Sequence, residues 1–179
     1  MEFTQGVRFD SLGLSPEIMR AIAHRNLEVS TPVQAGCIPP MMAWQDVIAK
    51  APTGTGKTFA YGIPIVEHID PEDESVQAVI LAPTRELAIQ ITDEIRDLAA
   101  FKPGVRTVCL YGGAPIGRQI DTLKKHPQIV VATPGRLSDH MKRRTVRVDT
   151  AQTVVLDEAD RMLDMGFIHD VRRILGWLP

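Results

Sequence analysis

Cysteine is nearly absent from this chain, with two residues, Cys37 and Cys109, among 179. They form no CxxC pair and sit among apolar neighbours, which points away from a disulfide scaffold and toward buried thiols in a reducing, cytoplasmic compartment. Long apolar runs are missing as well. No stretch approaches the ~18 residues of a membrane-spanning helix, and the opening MEFTQGVRFD lacks the basic-then-apolar order of a secretory leader. The five histidines show no ligand spacing, so no zinc site is predicted. A strong charge bias is lacking too: the formal net charge is −2, and the one compact basic cluster, Lys142-Arg143-Arg144 with Arg147, reads as a solvated loop. Composition thus gives no support for a nucleic-acid partner, and any such partner must be gripped by local geometry. Repeats, low-complexity tracts and linkers are absent. At 44% hydrophobic and 23% charged residues, the chain has the size and balance of one globular domain with a real core.

Against this plain background stand five short runs that are apolar nearly throughout: Asp46–Ala49, Ala78–Ala82, Thr107–Leu110, Ile129–Ala132 and Thr153–Leu156. Strands apolar on both faces belong in a parallel sheet covered by helices. Helical periodicity separates them; Leu87, Ile91, Ile95 and Leu98 form one apolar stripe after Thr84. The alternation predicts an α/β fold with a parallel β-sheet flanked by helices on both faces. Ser15-Pro16, Thr31-Pro32 and Thr133-Pro134 each pair a capping hydroxyl with a proline at the first helical position. A helical lead-in over residues 1–45 is expected ahead of a domain over 46–179, with Ile18, Met19 and Ile22 on one side of its first helix and a break in its second near Pro39-Pro40. Pro71 to Ser75 reads as a solvated acidic loop.

Two segments carry chemistry. Ala51-Pro-Thr-Gly-Thr-Gly-Lys-Thr58 follows an expected strand and opens an expected helix, Lys57 to about His68. Gly54 and Gly56 allow the backbone to curl so that its N–H groups, including those of Thr53 and Thr55, converge on phosphate oxygens at a helix N-terminus. Lys57 reaches the β and γ phosphates, and the Thr58 hydroxyl suits Mg²⁺. The plain alternative is a glycine-rich turn. Further on, Val154-Val-Leu-Asp-Glu-Ala-Asp160 ends an apolar strand in two acids. Ligands bind at the carboxyl ends of strands in open α/β sheets. Asp157 is therefore placed to hold Mg²⁺, partly through water, and Glu158 to orient or deprotonate an attacking water. The alternative here is a helix cap.

Asp157-Glu-Ala-Asp160 also spells DEAD, and the ordered segments resemble the DEAD-box ATP-dependent RNA helicases: APTGTGKT, Pro83-Thr-Arg-Glu-Leu87, Gly112-Gly113, Thr133-Pro-Gly-Arg136 and the DEAD stretch, continued to Phe167. Thr31-Pro-Val-Gln34, with Phe9 upstream, is similar to the family's adenine-reading Q motif. The resemblance implies a RecA-like P-loop domain with ATP and Mg²⁺ as cofactors. Lys57, Asp157 and Glu158 are implied as catalytic. Phe9, Gln34, Thr53, Gly54, Thr55, Gly56, Lys57 and Thr58 are implied to bind ATP, with Thr58 and Asp157 on the metal. Phe9 would stack on the base, and the amide of Gln34 both donates and accepts, as adenine requires. Pro83, Thr84, Arg85, Gly112, Gly113, Thr133, Pro134, Gly135 and Arg136 are implied to hold single-stranded or short duplex RNA by its backbone, a grip that positions without reading sequence. Asp160 is implied at an interdomain contact, whereas Met162, Leu163, Met165 and Phe167 read as helix packing.

The pattern departs from the family at several places. Asn26 stands where the family has glycine, Leu27 where it has an aromatic, Ser30 where it has proline and Pro52 where it has glutamine; His126-Pro127 replaces another usual glycine. Neither a Ser-Ala-Thr motif nor the family's second RecA-like domain occurs in these residues. In related folds the Ser-Ala-Thr strand lies between the phosphate-loop strand and the DEAD strand. The resemblance therefore implies a fragment of a longer protein, or a neighbouring chain that fills the slot, and a piece that alone binds nucleotide weakly and does not unwind RNA. Beside the helicase reading stand two others: an ATP-dependent RNA clamp or adaptor platform without strand separation, and another P-loop motor such as a DNA translocase.

Overall fold

The fold is that of a computed structural model, which describes residues 5–51 and 56–178. Among these the order is a short 3-10 turn at Phe9–Ser11, then α1 (Pro16–His24), α2 (Pro32–Met42), α3 (Lys57–His68), β1 (Ala78–Leu81), α4 (Arg85–Leu98), β2 (Thr107–Leu110) and α5 (Ile116–Leu123). After these come β3 (Ile129–Ala132), α6 (Pro134–Lys142), β4 (Thr153–Leu156), α7 (Ala159–Asp164) and α8 (Ile168–Gly176). The chain divides into two compact units, Met1–Ile69 with Glu94–Pro103, and Asp70–Asp93 with Gly104–Pro179.

The first unit carries α1 and α2 of the lead-in together with α3. Ser15 caps α1 by accepting the Ile18 N–H, and Glu67 of α3 holds that cap by accepting from the Ser15 N–H at 2.8 Å and hydroxyl at 2.5 Å. Ile18 and Ile22 are fully buried, while Met19 is half-buried. Thr31 and Gln34 form a reciprocal capping box at the head of α2. The expected break at Pro39-Pro40 does not occur, and α2 runs through both prolines to Met42. Each proline forfeits one helical hydrogen bond at about 3 kcal/mol. Burial of Val33, Cys37 and Ile38, about 1.5–3 kcal/mol each when complete, offsets that loss, with Val33 and Cys37 packing on Ala60 of α3.

The second unit contains a wholly parallel sheet in the order β2-β3-β1-β4, flanked by helices. Val79, Leu81, Val108, Leu110, Val130 and Ala132 form one core with Leu137 of α6, Met162 of α7 and Val171 and Ile174 of α8. All four residues of β1 and of β3 are buried, as both-face burial requires. At the amino ends of the strands the carboxamides of Gln77 and Gln128 bond to loop backbone, Gln77 to Asp70 and Asp73, Gln128 to Arg106 and Gly104.

Four of the five expected strands form. Asp46–Ala49 does not: among the described residues it pairs with nothing, Ile48 is 82% exposed, and only Val47 packs, against the α2–α3 cluster. An apolar run becomes a strand only with a ladder partner, and the Ser-Ala-Thr segment expected beside it is not among these residues. β4 pairs with β1 on one side and with no described strand on the other. It is correspondingly the least buried strand, with Leu156 36% exposed.

Candidate functional site

In the first unit, Gly56 caps α3 in a left-handed conformation, φ 79° and ψ 28°, which only glycine adopts without cost. Its carbonyl accepts from the Ala60 N–H and from Nε2 of Gln34, each at 3.2 Å. Lys57 and Thr58 form the first turn of α3, the Thr58 side chain largely enclosed. Thr53, Gly54 and Thr55, expected to complete the cradle, lie outside the described residues, as does Pro52. Gln34 is 4% exposed, and its amide is fixed at both ends: the oxygen accepts from the Thr31 N–H at 2.9 Å and the nitrogen donates to Gly56. One of its N–H hydrogens remains for a base. The Q motif and the phosphate loop are therefore joined directly through a side chain.

Phe9 departs from its expected role. It is 1% exposed, so both ring faces are covered by protein and neither is open to a base. It anchors the lead-in, with its N–H on the Glu28 carbonyl at 3.0 Å. Ser30 replaces proline with a gain: its N–H and hydroxyl both donate to Val7 O at 2.7 Å, and its Oγ accepts the Val7 N–H at 3.1 Å. Asn26 adopts φ 57°, the left-handed conformation that a glycine at this position would supply freely.

The second unit brings the other segments together. Because its strands are parallel, every residue just past β1, β2, β3 and β4 lies on one rim. Pro83, Thr84 and Arg85 follow β1; Gly112 and Gly113 follow β2; Thr133, Pro134, Gly135 and Arg136 follow β3; Asp157 and Glu158 follow β4. Thr84 caps α4 by accepting the Leu87 N–H at 3.2 Å. Thr133 occupies the equivalent place before α6, but its hydroxyl makes no capping bond, so the first N–H groups of α6 are left to another acceptor. Gly112 and Gly113 are exposed, Gly113 at φ 86°, and a Cβ on Gly112 would meet nothing within 4 Å. The guanidinium of Arg85 lies 4.8 Å from the ring centroid of Tyr111, beside that turn.

Arg136 is half spoken for. Its Nη1 donates to Ala114 O at 3.0 Å and to Gln119 Oε1 at 3.2 Å. Nε and Nη2 find no acceptor among the described residues, leaving the edge of the fork that suits a phosphate. Gln119, of α5, also donates from Nε2 to Tyr111 O at 2.9 Å, so its oxygen must face Arg136 and His140. That oxygen only accepts, hence Nε2 of His140, 2.8 Å away, carries a hydrogen. Nδ1 of the neutral ring then accepts from the Thr145 hydroxyl at 2.7 Å. Burial first, and the nearby Arg136 guanidinium second, push the His140 pKa below its usual value. Neither Gln119 nor His140 was expected from sequence; they meet across 21 residues and belong to no local motif.

At the end of β4, Asp157 is 7% exposed and donates its N–H to Leu81 O. Glu158 follows at φ 51° and ψ 51°, a left-handed conformation that costs a non-glycine residue about 1–2 kcal/mol. Such strain collects at functional positions. Its carboxylate stands 3.5 Å from Arg161. Asp160 is exposed and makes no hydrogen bond or ion pair among the described residues. Of the side chains expected to pack, Met162 and Phe167 join the core, while Leu163 and Met165 are each 49% exposed, turned outward from the short α7. No group of three or more potential metal ligands from His, Cys, Asp and Glu occurs among the described residues, and none of their helices is long and apolar enough to cross a membrane.

Known proteins agree with this arrangement. The family model described as DEAD/DEAH box helicase matches residues 31–179. The chain is 53% identical over 171 residues to the DEAD-box ATP-dependent RNA helicase CshA of Geobacillus kaustophilus, covering 96% of this chain and 36% of that protein. It is 50% identical over 173 residues to CshA of Bacillus subtilis, covering 97% of this chain and 35% of that one. The chain thus spans about a third of the length of these relatives. Among solved structures, a DEAD box protein from Methanococcus jannaschii superposes with a TM-score of 0.90 at 41% identity, over 96% of this chain and 47% of that one. A Saccharomyces cerevisiae Dbp5 variant bound to Gle1 and IP6 gives a TM-score of 0.85 at 31% identity, over 100% of this chain and 45% of that one. With the motifs in order, a RecA-like sheet and four motif segments on one of its rims, the chain belongs to the DEAD/DEAH box helicase family.

Proposed function

We propose that this chain is the ATP-binding, RNA-gripping half of an RNA-stimulated ATPase that separates short RNA duplexes. The observation that supports it most is the rim of the second unit, where three donor-bearing segments and the two acids of the DEAD stretch follow four neighbouring parallel strands. Arg85, the open Gly112-Gly113 turn, the uncapped start of α6 and the free edge of Arg136 form a short line of donors. Such a line holds a sugar-phosphate backbone without reading bases. It needs no broad basic surface, consistent with a net charge of −2.

On the nucleotide side, Gly56 and Lys57 receive the phosphates of ATP and Gln34 the adenine edge. Thr58 in the first unit offers a hydroxyl and Asp157 in the second a carboxylate, each a hard oxygen donor of the kind that Mg²⁺ takes. When bound, the metal supplies charge neutralisation at the β and γ phosphates. Glu158 orients the water that attacks the γ-phosphorus and accepts its proton as the bond to the β–γ bridging oxygen breaks and ADP departs. Asp160, exposed in the first turn of α7, faces a second RecA-like domain in this reading. The setting is cytoplasmic in this reading, in keeping with only two cysteines and no CxxC pair among 179 residues. Residues 1–179 alone bind nucleotide weakly and do not unwind RNA.

Glu158→Gln in the whole gene product tests the enzyme reading. Phosphate release with RNA present is expected to fall by about two orders of magnitude or more, the scale of a lost general base, while ATP binding persists. Unchanged turnover would contradict it.

A further inference from the structure

Four residues of the second unit, Tyr111, Gln119, Arg136 and Ala114, close a ring of contacts that the motif segments alone do not contain, and His140 is attached to it. Tyr111 and Ala114 flank the Gly112-Gly113 turn. The Tyr111 carbonyl accepts from Gln119 Nε2 at 2.9 Å, the Ala114 carbonyl accepts from Arg136 Nη1 at 3.0 Å, and Gln119 Oε1 accepts from the same Nη1 at 3.2 Å. The glycine turn is therefore strapped at both ends, one strap through Gln119 and the other through Arg136, and the straps are tied to each other. The Tyr111 carbonyl, which only accepts, and Arg136 Nη1, which only donates, set which way the carboxamide faces, and His140 Nε2, 2.8 Å from Gln119 Oε1, gives that oxygen a second hydrogen. A reversed amide would set its N–H₂ against two donors and its oxygen against the Tyr111 carbonyl. Gln119 and His140 are 6% and 0% exposed, so neither offers a ligand more than a sliver of surface. The ring of Tyr111 also carries the Arg85 guanidinium, which links the segment after β1 to the same assembly.

We propose that Gln119, with its amide held between Tyr111, Arg136 and His140, is a positioning residue for RNA binding: it sets the Gly112-Gly113 turn and the Arg136 guanidinium in mutual register so that both meet one sugar-phosphate backbone. The inference rests on the reading of Arg136 as a backbone contact. Holding both hydrogens of Nη1 leaves the Nε and Nη2 edge aimed outward, and a guanidinium fixed on one edge loses less freedom when the other binds phosphate. The same carboxamide fixes the turn beside it, so the two contacts are prepared together.

The test is steady-state RNA-stimulated ATPase of the whole gene product with single-stranded oligouridylate, for Gln119→Ala, Gln119→Asn, Arg136→Ala and the double variant Gln119→Ala/Arg136→Ala. Asparagine keeps the amide but is one methylene too short to span Tyr111 and Arg136 together. It serves as the second variant, the more conservative in chemistry, and an unchanged KM for ATP reports an intact fold. Both Gln119 variants are expected to raise the KM for RNA about tenfold, the scale of one hydrogen bond to a charged group, with kcat at saturating RNA nearly unchanged. The double variant is expected to be worse than Arg136→Ala by less than the full effect of Gln119→Ala, since Gln119 acts partly through Arg136 and partly through the turn, and coupled groups are not additive. Multiplying effects would overturn the proposal by showing that Gln119 acts apart from Arg136. A raised KM for RNA in Arg136→Ala alone, with the Gln119 variants unchanged, would overturn it while leaving the RNA reading intact. An unchanged KM in Arg136→Ala would overturn the reading of Arg136 and the proposal with it.

Discussion

His126 stands where the family pattern has glycine, and the backbone of this turn shows what glycine would gain there. The residue adopts φ 57° at the turn after α5, with its side chain exposed. A left-handed conformation costs an L residue about 1–2 kcal/mol, and the following Pro127 adds crowding, since residues before proline prefer extended backbone. Glycine removes both penalties but loses about 0.5–1 kcal/mol more entropy on folding. The contacts at this turn are backbone ones: the His126 N–H donates to Leu123 O at 3.1 Å, and its carbonyl accepts from Arg106 Nε and Nη2 at 3.1 and 3.0 Å. Both survive the change. His126→Gly is therefore expected to stabilise the fold by about 1 kcal/mol, raising Tm by about 2–4 °C for a chain of this size. His126→Ala removes the imidazole but keeps the Cβ, and is expected to leave Tm nearly where it was. Thermal unfolding followed by circular dichroism reads both. Equal stabilisation by alanine and glycine, or none by glycine, would refute the backbone argument.

Two further outcomes follow from the same structure. A Cβ at position 56 would meet Gln34 Nε2 closer than any ordinary carbon contact, at a φ of 79°. Gly56→Ala is therefore expected to weaken nucleotide binding about tenfold or more, a loss near 1.4 kcal/mol, measured by fluorescent-nucleotide titration. His140, held neutral in the folded state, has a folded pKa below its unfolded value near 6.5. Below about pH 6.5 the unfolded chain gains a proton that the folded one resists, so stability falls as pH drops through that value and is flat for this group above it. Urea midpoints from pH 8 to 5, wild type against His140→Asn, are expected to converge toward the acid end.

Much of this was legible in the chain because it is written locally. Ser15, Thr31 and Thr84 announce helices through caps that span three residues, and β1 to β4 are short apolar runs with ladder partners nearby. Asp46–Ala49 reads the same way, yet strand formation depends on a neighbour, and that requirement is not local. Pro39-Pro40 reads as a stop; burial of Val33, Cys37 and Ile38 overrides it. The capping box of Gln34 follows from its spacing to Thr31, but its bond to Gly56 joins residues 22 apart and has no signature. Phe9 shows the limit of motif transfer, since an aromatic in the expected place is enclosed by the fold. Gln119 and His140 were invisible for a related reason: each looks like an ordinary polar residue on an amphipathic helix until α5 and α6 meet.

The central claim is that the carboxyl rim of the sheet is where a ribonucleotide backbone lies. An NMR titration of the isotope-labelled chain with single-stranded oligouridylate tests it most directly. The account predicts that amide signals of Thr84, Arg85, Gly112, Gly113, Gly135 and Arg136 shift together and saturate with one affinity. Shifts centred instead on the opposite rim, at Gln77, Arg106 and Gln128, would contradict it.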